Sequence, residues 1–430
     1  MIQQEYVWYG EIPAEWGFQK IKYVTELRNE KVTEIINEIY IGLENIESTS
    51  GNYLPSSEEQ EQNIEGTSNK FYKEDVLFGK LRPYLAKCIE AEFDGVCSTE
   101  LLVLNADRKK ILPQYLKLLM LSPKFIDLIN SSTYGAKMPR ASWDFIRDVE
   151  IPLPSVELQS KIVSFVSDEV SNIDSLISKK KNLINLFEQQ RQSIITEAVR
   201  KGLNPNVKMK DSGVEWIGEI PEHWDITKIK YTTYVKGRIG WQGLKSDEFV
   251  DEGPYLVTGT DFKNGYVDWD TCYHISEERY SEAPPIQLEE GDLLITKDGT
   301  IGKLAIVKNM PYKAILNSGV FVTRPLNNKY IAKYMYWLLS STIFDKYIKF
   351  METGSTIKHL YQETFVNFSF PLPTIEEQKH IQNYLDIKIA ELDEIKLKIN
   401  EQIEKLKEYR QSLIYEAVTG KIDLRELELD

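Results

Sequence analysis

Cysteine is scarce in this chain of 430 residues: Cys88, Cys97 and Cys272 are the whole supply. Their spacing suits neither a metal site nor a disulfide framework, and sparse free thiols fit the core of a protein kept in a reducing cytoplasm. The four histidines, His223, His274, His359 and His380, form no HExxH or other ligand spacing. No apolar run approaches the ~18 residues that span a bilayer, and the opening MIQQEYVWYGE lacks the basic-then-apolar order of a signal peptide. Positive charge is in deficit, with 52 Lys and Arg against 66 Asp and Glu and a net charge of −14, which argues against a stand-alone nucleic-acid binder. Catalytic signatures are missing as well. TKDGTIGK from Thr296 lacks the GxxxxGK[ST] spacing of a nucleotide loop, and carboxylate pairs such as Glu289 and Glu290 read as solvated surface. The nearest approach to the NPPF or DPPY tetrapeptide of an adenine methyltransferase is NPNV at Asn204. No catalytic constellation is expected.

What the chain has is a copy of itself. WYGEIPAEWGFQKIKY from Trp8 returns as WIGEIPEHWDITKIKY from Trp216, an offset of 208 positions. IPLPSVELQSKI from Ile151 returns as FPLPTIEEQKHI from Phe370, an offset of 219 that holds through RQSIITEAV (Arg191) and RQSLIYEAV (Arg410). Each copy therefore reads as a WxGEIPxxW opening, a divergent middle, a PLP signal and a long periodic segment. The period far exceeds that of a stacked solenoid, so two domains in tandem are expected.

The periodic segments predict long helices. Ser155 can cap the first, and Thr374 with Glu377 forms a capping box at the start of the second. Apolar residues follow at Ile162, Val166, Val170, Ile173, Ile177, Ile184, Phe187, Ile194 and Ala198, and again at Ile381, Leu385, Ile389, Leu392, Ile403, Leu406, Leu413 and Ala417. Steps of three and four mark a coiled-coil seam. Arg191 and Arg410 interrupt both seams, and Lys396 interrupts the second where the first has Ile177. Gly202 and Gly420 supply the stops. Segments of about 45 residues make rods of roughly 65 to 70 Å. Because the end of the first copy leads into the second, rods that run from their own domain toward the other one must pair antiparallel, and the last residues must arrive near the first. Helices packed each on its own domain are the bland alternative. The fold expected is α+β: two globular α/β-type domains separated by two long antiparallel coiled-coil helices, pseudo-two-fold symmetric within one chain. The boundaries read as 1–150 for the first domain, 151–204 for the first helix, 205–369 for the linker, second opening and second domain, and 370–430 for the second helix and tail.

The duplicated WxGEIPxxW opening, the divergent middle closing in PLP and the ExxRQSxIxEAV helix ending resemble the specificity subunit of a type I restriction-modification enzyme, over essentially the whole chain. The resemblance implies that the divergent middles, roughly 18 to 150 and 226 to 369, are target recognition domains, each reading one half of a split double-stranded DNA target. It implies that the helices space the domains and dock methyltransferase subunits, two of them, with a restriction and translocase subunit in the full complex. The chain itself would be non-catalytic and hold no cofactor, S-adenosylmethionine and ATP with magnesium belonging to the partner subunits in the cytoplasm of a bacterial or archaeal cell. A two-headed scaffold that grips proteins in place of DNA is the competing reading.

Loops able to approach phosphates or base edges supply the candidate contacts. TKDGTIGK offers Lys297, Thr300 and Lys303, and it also reads as a plain hairpin turn. Its counterpart FGKLRPYLAK offers Lys80, Arg82 and Lys87, with Tyr84 between them. A second pair precedes each PLP: YGAKMPRASW with Lys137 and Arg140, and TGSTIKHLYQ with Ser355, Thr356, Lys358 and His359. A third pair, YIGLENIESTSG from Tyr40 and YLVTGTDFKNGY from Tyr255, adds Asn45, Thr258 and Thr260, and Trp241 could stack on bases or be partly buried.

Overall fold

A computed structural model describes residues 8–33, 38–55, 66–135, 137–238, 244, 248–351 and 359–425. By packing, the chain divides into two units: residues 1–181 with 399–430, and residues 182–398. Each unit holds one globular head together with the start of one long helix and the end of the other. None of the described helices is long and apolar enough to cross a membrane.

Each head is built on a sheet buried on both faces, antiparallel throughout in the first head and with one parallel pair, Tyr266 beside Ile306, in the second. In the first head the strand order is Thr25–Arg28, Leu101–Ala106, Val76–Gly79, Cys88–Glu90. Its apolar runs VLFG and LLVL alternate between two cores, as a period-two strand must. Val76, Phe78, Leu102 and Leu104 face the helices, whereas Leu77, Leu101 and Val103 face a second core with Ile41, Phe71 and Cys97. The second head repeats the scheme: Leu293 and Ile295 pack with Trp224, Tyr334 and Leu385 on one side, and Leu294 with Leu256, Ile315 and Val322 on the other. The three cysteines are buried with free thiols, and desolvation pushes those of Cys88 and Cys97 up to about 12, which keeps them unreactive.

The repeated opening has a structural duty in both heads. Strand Gly17–Lys20 pairs antiparallel with Glu150–Leu153, and Asp225–Lys228 pairs antiparallel with Ser369–Leu372. The first tryptophan of each opening donates its indole N–H across that junction, Trp8 to the Glu150 carbonyl at 2.9 Å and Trp216 to the Ser369 carbonyl at 3.2 Å. The PLP stretch is thus the strand that receives the opening and then launches the helix.

The long helices span Val156–Lys201 and Ile375–Val418. Leu158 N–H bonds the Ser155 hydroxyl at 3.3 Å, and Thr374 and Glu377 exchange backbone-to-side-chain bonds at 3.3 and 3.1 Å, the expected cap and capping box. Gly202 and Gly420 end them at φ of 73° and 71°. In the first unit Arg410 reaches Asp174 at 2.7 Å and Lys180 reaches Gln402 at 2.7 Å. Rising numbers on one helix meet falling numbers on the other, so the helices run antiparallel there. In the second unit Lys396 pairs with Glu188. The cations that interrupt the apolar seam therefore meet acids, Arg410 and Lys396 across the pair and Arg191 with Glu188 on its own helix at 3.6 Å.

The buried stripe departs from the sequence-derived seam at several positions on both helices. Val170, Ile184, Phe187, Ile194 and Leu406 are only half-buried, while Ile195, Val199, Ile399, Ile414 and Val418 are buried. Toward its end each helix leaves the two-helix seam and enters the core of a head, so the apolar stripe widens beyond the alternating positions. Ile414, Ala417, Val418 and Leu424 pack in one core with Trp8, Tyr9 and Trp16, and Tyr415 donates to the Tyr9 carbonyl at 3.3 Å. The chain end therefore lies on the chain start, as the order of the repeat requires.

Candidate nucleic-acid interface

In the first head the apolar strand Val76–Gly79 runs into Lys80, which bonds backbone partners on both sides: its N–H donates to Glu100 at 3.0 Å and its carbonyl accepts from Ala141 at 2.9 Å. Arg82 N–H donates to Pro139 at 2.7 Å, and Leu81 bridges to Arg140. FGKLRPYLAK and YGAKMPRASW, far apart in sequence, thus form one short ladder. The second head does the same. Lys297 N–H donates to Gly319 at 2.9 Å, Leu360 N–H donates to the Lys297 carbonyl at 2.8 Å, and Asp298 bridges to His359. Glu100, Arg140 and Ala141 correspond to Gly319, His359 and Leu360 at the 219 offset.

The third pair of stretches joins through lysine side chains. Lys87 Nζ donates to the Leu43 carbonyl at 2.5 Å, and Lys303 Nζ donates to the Gly259 carbonyl at 3.0 Å. Both carbonyls sit on short 3-10 turns, Leu43–Asn45 and Gly259–Asp261. The three stretches singled out in each half are therefore bonded to one another through their described residues. Lys87 and Lys303 act in this arrangement as tethers between loops, a role loop chemistry alone did not disclose.

The candidates differ in how free they are. Arg140 lies against Glu100, with guanidinium nitrogens 3.0 to 3.2 Å from its carboxylate oxygens, and that bonding holds the Arg140 pKa above its ordinary value. At the matching position His359 Nδ1 meets the Asp298 carboxylate. Arg82 is exposed and has no acid within ion-pair distance among the described residues. Its backbone adopts φ 52°, and Ala86 at the other end of the Pro83–Leu85 turn adopts φ 47°. Non-glycine residues rarely hold that left-handed conformation, and such strain clusters at functional sites. Lys80 is half-buried and Lys137 exposed. The Lys297 ammonium stands 5.1 Å from the centre of the Phe321 ring. Thr300 is exposed, and its carbonyl accepts from the Thr296 hydroxyl, which folds TKDGTIGK as the hairpin between strands Leu293–Thr296 and Leu304–Ile306.

Ser355, Thr356 and Lys358 lie outside the described residues, as does Trp241. Asn45 is buried, accepting from Gly42 N–H at 2.9 Å and donating to Leu54 at 3.1 Å, so it builds its loop and offers nothing outward. Thr258 and Thr260 bond one another and Asp261 within the second turn. Tyr361, missed in the sequence, is 64% exposed beside His359 with ring centres 4.9 Å apart; Tyr134, 63% exposed, pairs its backbone with Arg140. The place of Tyr361 two residues after the histidine of a candidate loop was the available signal, since exposed tyrosines offer stacking faces to bases.

Comparison with known proteins follows the same two-part layout. The family described as type I restriction modification DNA specificity domain matches residues 13–186 and 239–405. The chain is 28% identical over 305 residues to the type I restriction enzyme MjaVIII specificity subunit of Methanocaldococcus jannaschii, covering 70% of this chain and 68% of that protein. It is 26% identical over 433 residues to the putative type I restriction enzyme MjaX specificity subunit of the same organism, covering 97% and 96%. Its fold is similar to a solved chain described under complex assembly and conformational transition of the type I R-M system, with a TM-score of 0.73, 20% identity and coverage of 96% of this chain and 100% of that one. The chain, with its duplicated opening, paired heads and exchanged helix ends, belongs to the family of type I restriction-modification DNA specificity subunits.

Proposed function

We propose that each head reads one half of a split duplex target with the face where its three loops join. In the first head Arg82, Lys80 and Lys137 contact phosphates or guanine edges, with Tyr84 and Tyr134 beside them. In the second head Lys297 and Thr300 do so with Ser355, Thr356 and Lys358, and Tyr361 beside His359 offers a stacking face. Arg140 and His359 hold the loops in register through Glu100 and Asp298 and engage DNA only when those pairs open. The convergence of the same three stretches in both heads carries this reading.

The acidic net charge fits a chain that binds DNA weakly alone, since affinity scales with the phosphates neutralised. Two methyltransferase subunits docked on the repeated frame complete the grip, with a restriction subunit in the full complex. The long helices set the gap between half-sites, to be matched to the ~34 to 36 Å turn of the duplex. Methyl transfer and ATP-driven cleavage belong to the partner chains, which carry S-adenosylmethionine and ATP with magnesium, and the complex works in the cytoplasm. The test is to map N6-methyladenine across a genome in cells carrying this chain, then to replace residues 18–150 with another head. One half of the methylated motif should change and the other stay; an unchanged motif defeats the assignment.

A further inference from the structure

The two heads share a frame, so each is a control for how the other is packed. At the position where the head meets the long helices, the second unit is filled by rings. Trp337 is 4% exposed and donates its indole N–H to Asp386 at 3.0 Å, and the Tyr336 ring lies edge-on to it at 5.1 Å. Lys333 lies over both rings, 4.6 and 5.2 Å from their centres. The same three positions in the first unit, 219 residues earlier, are Leu118, Lys117 and Gln114, and Asp386 becomes Ser167. Two rings and a carboxylate are replaced by an aliphatic side chain, a flexible ammonium and a hydroxyl.

The space so released is a cavity of about 410 Å³, lined entirely by residues of the first unit. That volume lies within the range of small-molecule sites. One wall is apolar, formed by Leu118, Leu121, Val163, Val166, Val170 and Ile414. The rest carries both signs of charge: Lys117 and Arg410 against Glu90 and Asp174. Arg410 is only 7% exposed, and although its terminal nitrogens reach Asp174 and Thr49, its Nε is buried with no hydrogen-bond partner. Burial pushes the Glu90 carboxyl up while the Lys117 ammonium draws it down, and Gln114 donates to it.

We propose that this cavity binds a small aromatic zwitterion, an amino-acid-like molecule whose flat ring takes the place that Tyr336 and Trp337 fill in the other head. Its carboxylate faces Lys117 and Arg410, and its ammonium faces Glu90 and Asp174. A ring without charges leaves the Lys117 ammonium on the cavity wall without a counterpart from the ligand, and charges without a ring leave the apolar wall wet. The site borders the third of the loops assigned to DNA at Ser50, and its occupancy is read on the chain without DNA.

The test uses the full chain and calorimetric titration with L-tryptophan, L-tyrosine, indole and L-alanine, alongside thermal unfolding. L-tryptophan or L-tyrosine should bind saturably with a Kd on the order of 1 mM or tighter and raise Tm, with indole and L-alanine at least about tenfold weaker. Leu118→Trp, which copies the second head, should abolish that binding while leaving Tm equal or higher without ligand. Lys117→Met should weaken binding about tenfold or more and serves if Leu118→Trp does not fold. Absence of binding by both aromatic amino acids up to roughly 10 mM overturns the proposal. So does unchanged binding by both variants, or indole binding as tightly as L-tryptophan. None of these outcomes depends on whether the heads read DNA.

Discussion

The Tyr115 hydroxyl lies 3.2 Å from the carbonyl of Val418, 303 positions further along the chain, and 3.3 Å from that of Pro152. Tyr334 repeats the arrangement with Val199 at 3.5 Å and Pro371 at 3.0 Å. Each head thus uses one buried phenol to tie the strand that launches its own helix to the final turn of the other copy's helix. Substituting Tyr115→Phe leaves these buried carbonyls without that donor and should cost about 1 to 3 kcal/mol. Urea unfolding of the variant checks it, and Tyr334→Phe should behave alike.

Arg410 is buried on the second long helix and leans on Asp174. Asp174→Ala strands the guanidinium and should destabilise by about 2 kcal/mol, less than the loss for a fully enclosed pair because Asp174 keeps some contact with water. The double variant Asp174→Ala/Arg410→Met should recover most of that loss. A double-mutant cycle from unfolding curves measures it, and strictly additive losses would count against the coupling.

Glu377 supplies a pH signature. Burial pushes its carboxyl up, but donors from Trp224, His223 and Thr374 outweigh that and bring it down to about 2. A carboxyl held below its unfolded value adds stability that is complete above about pH 4.5 and fades as the pH falls toward 2. Glu377→Gln should therefore lower Tm near neutrality, with the difference from the parent shrinking across that window. Melting curves taken between about pH 2 and 6 decide it.

For the proposed interface, Arg82→Ala should weaken DNA binding by the complex with methyltransferase subunits. If Arg82 meets a phosphate, the slope of log K against log salt should fall by about one and the loss should be uniform across sequences. If it reads guanine, the loss should be about 1 to 3 kcal/mol on the cognate site alone. Binding measured at several salt concentrations on cognate and scrambled duplexes separates the two. No change in either measurement removes Arg82 from the interface.

Glu100→Gln tests the positioning role given to Arg140. Freed of its partner, Arg140 can reach outward while the loop loses its fastening, so affinity for random duplex should rise and discrimination between cognate and random sites should fall. The ratio of the two binding constants is the readout, and an unchanged ratio refutes the role.

Much of this architecture was legible before any coordinates. The doubled WxGEIPxxW, the doubled PLP and the three-four spacing of Ile162, Val166 and Ile173 prescribed two heads and two long helices, because hydrophobic period and capping chemistry are local properties of a chain. The order of the repeat prescribed that the last helix returns to the first residues, as Tyr415 on Tyr9 bears out. What folding alone decided were relations between distant side chains. Sequence offers Lys87, Lys303 and Arg140 as candidate DNA contacts, and tertiary contact binds the first two to carbonyls and the third to Glu100. Sequence also aligns Leu118 with Trp337 without saying that one leaves a cavity where the other fills it. Charge and volume at a site depend on which neighbours the fold supplies, and no local pattern carries that information.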